Sequence, residues 1–469
     1  MPIYFYRLNI RSVGRKPRYL LLFFTKVAVG KVKILMGEKW GRNEEMKKDC
    51  TNQGGSLNFL SNIRVLDFTR VLAGPFCTQL LGDMGAEIIK IEQPNKGDEV
   101  RHIMPYITGG ESHYFVAINR NKKSIVIDLK SPKGREIVFD LAKKSDVIIE
   151  NFRPGVMERL GFTYEKFSGV NPKLVVVSIS GFGQEGPLRD FPSFDLVTQA
   201  MSGAMSVTGE PGRPPVKLGI PMGDINAGLF GAIAILAALN QRTVTGEGQY
   251  IDISMLDCLI SLLGYLPQLY LATGKELGPV GSGHHTQAPY GAFRVKDGYI
   301  IIACHTPPFW PKLCKALGRE NLENDPRFIK TKLRSKNRNE LNAIIEEELS
   351  KYTVEESTKI LEEHGVPTGP VLPISKVITH PNTLARKMIV EVIHPLSGTL
   401  KLLGFPIKSS RVKEPTYAPP PLLGEHTKEI LINILGYNEE EINKLAREDK
   451  AIQVGPFTRE DMIQLSQHD

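Results

Sequence analysis

A chain of 469 residues, 41% hydrophobic and 23% charged, is long enough for two or three domain-sized units with substantial cores and excludes an intrinsically disordered or membrane-embedded protein. The formal net charge of +8 suggests a nucleic-acid surface until it is located: residues 1 to 37 hold Arg7, Arg11, Arg15, Lys16, Arg18, Lys26, Lys31 and Lys33 and no acid, so the rest of the chain is formally neutral. The charge therefore reports an address, and no nucleic-acid partner is expected.

That acid-free, Arg-bearing leader fits a mitochondrial presequence over residues 1–37, with a cytoplasmic protein as the alternative. Its apolar stretch around Tyr19 to Gly30 is interrupted by Lys26 and is too short to span a bilayer, so no membrane span is expected. Five dispersed cysteines, Cys50, Cys77, Cys258, Cys304 and Cys314, show neither CxxC nor Cys/His spacing. They predict buried thiols, with no disulfide framework and no metal site.

After a polar stretch from Gly37 to Ser56, strand-like runs alternate with helical patterns. The runs are Ile63 to Phe68, a helix near Gly74 to Met84, Glu87 to Glu92, Ser124 to Leu129, a helix near Pro132 to Lys144, Asp146 to Glu150 and Leu174 to Ser180. Short apolar strands between amphipathic helices imply βαβ units and a mainly parallel sheet, with ligands beyond its carboxyl ends. The first strand runs into Thr69-Arg70-Val71-Leu72-Ala73-Gly74-Pro75, which is not GxGxxG, and no P-loop follows. Nicotinamide chemistry is disfavoured.

Further along, Gly219-Ile220-Pro221-Met222-Gly223-Asp224 precedes the small-residue helical run Leu229 to Leu239. An Asp there is either a helix N-cap or, given little bulk around it, a carboxylate that a large substrate can approach. A second region, with the Gly/His-rich loop Gly281-Ser282-Gly283-His284-His285 and a hairpin from Tyr290 to Cys304 turning at Lys296-Asp297-Gly298, reads as a smaller α+β domain. The expected division is a large α/β domain from 57–264 and 384–452, an inserted small domain at 265–373, and a disordered polar tail at 453–469.

Six segments in order resemble class III CoA-transferases, the formyl-CoA transferase and carnitine CoA-transferase type. They are Val65 to Thr69 with Ala73-Gly74-Pro75, Gly85 to Glu92, Asn119 to Ser124, Glu150-Asn151-Phe152-Arg153-Pro154-Gly155, the Asp224 segment, and Pro421 to Thr427. The resemblance covers about Leu57 to Ile452. It implies a Rossmann-like parallel sheet with the inserted domain, an interlocked homodimer, and Asp224 as the nucleophile that forms an aspartyl anhydride and then an aspartyl–CoA thioester. No cofactor is implied, since the coenzyme A esters are substrates.

By the same resemblance the CoA contacts are Leu72, Ala73, Ile127, Lys130, Asn151, Phe152, Arg153 and Arg159. Gly281, Ser282, Gly283 and His284 form a loop that offers oxyanion donors, and Asp195 supports the site. Lys122 and Lys123 read as CoA contacts or as a solvated turn, and Asp67 either as an acid that helps shape the active site or as a buried acid hydrogen-bonded to turn N–H groups. Gln93 stands where some members carry a basic residue. Within the family the pattern is most similar to members that move CoA from succinyl-CoA to a dicarboxylate such as glutarate, for which Arg70, His284 and Lys217 are candidate distal cations. Carnitine is disfavoured because no aromatic cage is legible.

The rival activity on this fold, α-methylacyl-CoA racemisation, needs a proton carrier before Asp195, where Phe194 stands. A non-catalytic CoA-binding protein would be expected to lose Asp224 or its glycine context, and both are present.

Overall fold

The computed structural model describes residues 59–410 and 416–466. The leader, the Gly37 to Ser56 stretch and Cys50 lie outside these described residues.

Seven strands form the central sheet: β1 (Arg64–Asp67), β2 (Glu87–Glu92), β3 (Lys122–Ile127), β4 (Val147–Glu150), β5 (Val175–Ser180), β6 (Tyr250–Ser254) and, late in the chain, β12 (Ile452–Gln453). Their spatial order is β12-β3-β2-β1-β4-β5-β6, parallel throughout except for the β12–β3 pair. The order reverses between β1 and β4, the crevice where a doubly wound sheet binds ligands. Alternation within each strand feeds two cores. Val65, Ile88, Val147 and Val177 pack on one face with Ala227 and Ile235, and Leu66, Ile89, Ile125 and Ile148 pack on the other with Phe162 and Leu445.

The expected elements recur with small offsets, and one offset is chemical. β3 begins at Lys122, not Ser124, because the Lys122 ammonium is wholly buried against the Asp67 carboxylate at 3.1 Å and donates also to the Pro75 carbonyl and Asn119. The solvated-turn reading of Lys122 is thereby corrected. Lys123 pairs with Glu87 and Glu429. Asp67 also accepts from Thr69 N–H and the Thr78 hydroxyl, as the buried, hydrogen-bonded acid of its two readings. Cys77, Cys258, Cys304 and Cys314 are buried free thiols.

The helix Met222–Thr245 starts seven residues before the Leu229 to Leu239 run and packs against helix Ala73–Asp83. A Cβ at Gly228 would lie 2.6 Å from the Ala73 carbonyl oxygen, and one at Gly231 would lie 3.2 Å from Cys77 Sγ. Small residues thus allow the two backbones to meet. The helix is long and apolar enough to cross a membrane, but half of its most apolar window is buried inside the protein. Here it is a core element.

A separate antiparallel sheet, β7 (Tyr290–Arg294), β8 (Tyr299–Ala303) and β9 (Thr368–Pro370), has its own core of Phe293, Ile300, Ile302, Trp310, Leu313, Leu341, Ile345 and Leu361. The hairpin β10 (Ile389–His394) and β11 (Gly398–Leu403) follows, and helices Thr427–Asn433 and Glu439–Arg447 return to the large sheet. The tail expected to be disordered is corrected through Ser466. Gln453 ends β12, Arg459–Ser466 is helical, and Met462 is buried with Val126 and Leu423. Phe457 and Met462 suffice to dock it, because they pack against Val126 of β3 and Leu423.

Candidate active site

Asp224 sits inside the first turn of helix Met222–Thr245, whose N-cap is Pro221, so its side chain does not cap the helix. The capping reading is corrected. Asp224 has no hydrogen-bond partner among the described residues, and burial together with the neighbouring Asp195 charge pushes its carboxyl up to about 7. The positive end of the helix opposes part of that push by favouring an anion in the first turn.

Asp195 opens helix Asp195–Met201 and fixes the entrance to Asp224. Its Oδ1 accepts from Gly223 N–H at 2.7 Å and its Oδ2 from the Gln199 amide at 2.7 Å, while Gln199 Oε1 accepts from Leu218 N–H at 2.8 Å. A Cβ at Gly223 would fall 2.7 Å from Thr198 Oγ1 and 2.9 Å from Asp195 Oδ1. Glycine is required there by contact.

Asp224 opens into a cavity of about 140 Å³ with Val71, Ala73, Asn151, Phe152, Arg153, Arg189 and Phe194. Beside it, a cavity of about 510 Å³ lies over the ends of β1, β2 and β3, lined among others by Arg70, Lys90, Gln93, Asp98, Ile127 and Lys130. Phe152 borders both cavities. Together they occupy the crevice beyond the switch between β1 and β4. No histidine lines either cavity.

The loop after β1 is braced from three sides. The Asn151 amide accepts from Arg70 N–H and donates to the Arg70 carbonyl, both at 2.8 Å. The Arg70 guanidinium lies 4.6 Å from the Phe152 ring centre and pairs with Glu99. Asp98 accepts from Val71 N–H at 3.1 Å and is itself held by the buried Lys90 ammonium at 2.8 Å. Val71 carries φ +66°, a left-handed conformation that costs a β-branched residue about 1–3 kcal/mol and is sustained by these contacts. The turn after β4 is set by Glu150, which accepts from Phe152 N–H at 2.7 Å and whose acid is pushed up to about 7 chiefly by burial.

Of the residues named from sequence, Ala73, Asn151, Phe152 and Arg153 line the smaller cavity, and Ile127, Lys130 and Phe152 line the larger. Leu72 is buried as the N-cap of helix Ala73–Asp83 and borders neither. Arg159 is exposed on helix Val156–Arg159, also outside both.

The loop 281–284 does not line the Asp224 cavity within this chain. Gly281 N–H donates to the Gly209 carbonyl and Gly283 N–H to the Val280 carbonyl, so two of the expected oxyanion donors are already engaged. Ser282 Oγ accepts from Ala292 N–H, and the His284 ring stacks on Tyr265, with its Nε2 2.9 Å from the Tyr265 hydroxyl. Gln93 donates to the Gly97 carbonyl and closes its own loop. Sequence reading missed Arg189 and Tyr114. Arg189 donates to the Gln184 carbonyl and pairs with Asp190 at the cavity wall. The Tyr114 hydroxyl is pushed up to about 12 by burial and by the charges of Asp224, Asp98 and Asp195. Neither sits at a spacing that a one-dimensional motif marks.

The sequence model of CoA-transferase family III matches residues 60–427. Over 399 residues the chain is 38% identical to the succinyl-CoA:glutarate CoA-transferase of Mus musculus, covering 85% of this chain and 91% of that one. Over 356 residues it is 40% identical to the acetyl-CoA:oxalate CoA-transferase of Acetobacter aceti, covering 76% and 90%. The crystal structure of a CAIB/BAIF family protein from Brucella suis matches with a TM-score of 0.72 and 37% sequence identity, covering 81% of this chain and 100% of that one.

Proposed function

The chain belongs to CoA-transferase family III, and on that footing we propose that it moves CoA from succinyl-CoA to a dicarboxylate such as glutarate through covalent intermediates on Asp224. The observation that carries this reading is the Asp224 carboxylate, free of hydrogen bonds from the described residues and opening into a cavity that adjoins a larger one.

An Asp224 oxygen attacks the thioester carbonyl, the C–S bond breaks, and CoA leaves as a thiolate with the acyl group held as an anhydride. The thiolate attacks Asp224 Cγ, the donor acid leaves as its carboxylate, and an enzyme–CoA thioester remains. The acceptor carboxylate attacks that thioester and expels the thiolate, which then takes the new acyl group from the second anhydride. Every step exchanges one anion for another with no net proton transfer, so the chemistry requires no histidine base. Phe194 lines the Asp224 cavity where the racemase reading requires a proton carrier.

Two cations line the cavity, Arg153 and Arg189; with Arg153 assigned to CoA, Arg189 is left to meet a distal carboxylate. The acid-free leader supports action in the mitochondrion, tested by the location of a fluorescent fusion to residues 1–37. Exposed large apolar side chains such as Phe191, Phe194, Met201 and Ile220 support a homodimer, which would bury them.

The deciding experiment gives the purified protein succinyl-CoA and a panel of free acids (glutarate, adipate, oxalate, carnitine and formate) and identifies each new ester by mass. Glutaryl-CoA is expected, with a loss of at least about a thousandfold in Asp224→Ala. Exchange that survives in Asp224→Ala would overturn the covalent route. Solvent deuterium entering the α-position of a 2-methylacyl-CoA, with no exchange, would establish the racemase instead.

A further inference from the structure

The larger cavity has two walls that are far apart in sequence, and one short segment holds both. On one side Ile127 ends β3 and Lys130 follows it, and that strand end is tied to the C-terminal segment by the β12 pairing Ile452 to Ile127 and by Asp128 N–H donating to the Ala451 carbonyl at 2.8 Å. On the other side stands the loop Gln93 to Gly97, closed on itself by Gln93 Nε2 to Gly97 O at 3.0 Å and Gly97 N–H to Gln93 O at 3.1 Å.

The apex of that loop is Asn95 at φ +65°, a conformation Asn tolerates. Asn95 N–H donates to Gln453 Oε1 at 2.8 Å, and Gln453 Nε2 donates to Asn95 Oδ1. Gln453 is therefore a two-bond bridge from β12 to the opposite wall. The segment is anchored without it: Phe457 N–H donates to the Leu423 carbonyl at 2.9 Å, and Met462 is buried beside Val126 and Leu423. Loss of the Gln453 amide thus removes both bonds from β12 to the loop apex and leaves the segment docked.

The structure assigns Gln453 as a positioning residue that holds the Asn95 loop as the wall of the cavity taking the nucleotide end of coenzyme A. This rests on the proposed reading, in which the thioester meets Asp224 in the smaller cavity and the rest of the CoA extends past Phe152 into the larger one. The segment Ala451 to Gln453, whose Gln453 lies 358 positions from Asn95 of the loop, then sets affinity for the carrier while the acyl group is handled elsewhere.

The test compares succinyl-CoA with succinyl-pantetheine, which keeps the thioester and lacks the nucleotide, in the wild type, Gln453→Ala, Gln453→Met and Asn95→Gly. Gln453→Met keeps the length of the side chain without its hydrogen bonds, and thermal unfolding of each variant reports the fold. For succinyl-CoA, both Gln453 variants are expected to raise KM about tenfold with kcat little changed, and Asn95→Gly, which keeps its N–H, to raise it less. For succinyl-pantetheine, kcat/KM is expected to stay within twofold of wild type. Unchanged KM for succinyl-CoA, or equal losses with both substrates, overturns the positioning role. A wild type that uses the two substrates equally well overturns the cavity assignment itself and the positioning role with it, and leaves the Asp224 chemistry to be judged by the exchange experiment.

Discussion

At the scale of single residues the site turns on how one carboxylate is kept reactive. Burial and Asp195 raise Asp224 to about 7, and only the ionised form attacks a thioester. The rate of the first half-reaction is expected to rise with pH and level off above about 7, measured as kcat/KM for the acyl-CoA. Asp195→Asn removes the repelling charge and can still accept from Gly223 N–H, so the acid limb should move to lower pH. A limb that stays in place would show that burial alone sets the value. The same shift has a stability sign. Because the folded state binds this proton more tightly than the unfolded chain, whose ordinary value is 3.8, stability is lost as pH rises through the interval up to about 7. Asp224→Asn is expected to be stabilising above pH 7, by at most about 4 kcal/mol, and nearly neutral below pH 4, read by denaturant unfolding at the two pH values. Arg189→Ala should raise KM for glutarate at least about tenfold while sparing a monocarboxylate acceptor of similar length.

At the scale of elements, the position of Asp224 depends on the approach of two helices. Gly228 faces the Ala73 carbonyl and Gly231 the Cys77 sulfur, with would-be Cβ contacts of 2.6 and 3.2 Å. Gly228→Ala should cost about 1–3 kcal/mol, as overpacking does, and displace the cavity wall at Ala73. Gly231→Ala should cost less, because a sulfur can yield where a backbone carbonyl cannot. Thermal unfolding ranks the pair, and equal costs would contradict the close approach. The brace between Asn151 and Arg70 belongs to the same scale. Removing its two 2.8 Å bonds in Asn151→Ala releases the loop that holds Val71 at φ +66°, so activity should fall more than stability does.

At the scale of the molecule, the crevice is assembled from distant parts of the chain. β1 and β4 supply its floor, helix Met222–Thr245 the acid, and the loop Gln93 to Gly97, tied to β12 through Gln453, one wall of the larger cavity. The loop 281–284 stands apart from Asp224 within one chain, and two of its N–H groups are committed to intrachain bonds. An oxyanion role for it would therefore require a rearrangement or a second copy. Native mass measurement should return twice the chain mass for the proposed homodimer, and a monomer at micromolar concentration would remove that reading.

The sequence by itself determined the parallel sheet and the place of the acid. Strands buried on both faces, such as Val175 to Ser180, announce themselves as apolar runs, and Asp224 stands out through the small residues around it. It determined the burial of Cys77, Cys258, Cys304 and Cys314 too, since small apolar thiols without ligand spacing go to the core. Only the tertiary structure decided that Lys122 is buried, because its partner Asp67 lies 55 positions away. Only the tertiary structure decided that Asp224 is not a cap, since helix entry is set by Asp195 reaching Gly223 across 28 positions. The ordered tail and the Gln453 bridge to Asn95 were illegible for the same reason. A hydrogen bond between residues 358 positions apart leaves no local periodicity, and its strength comes from a fold that both ends must first reach.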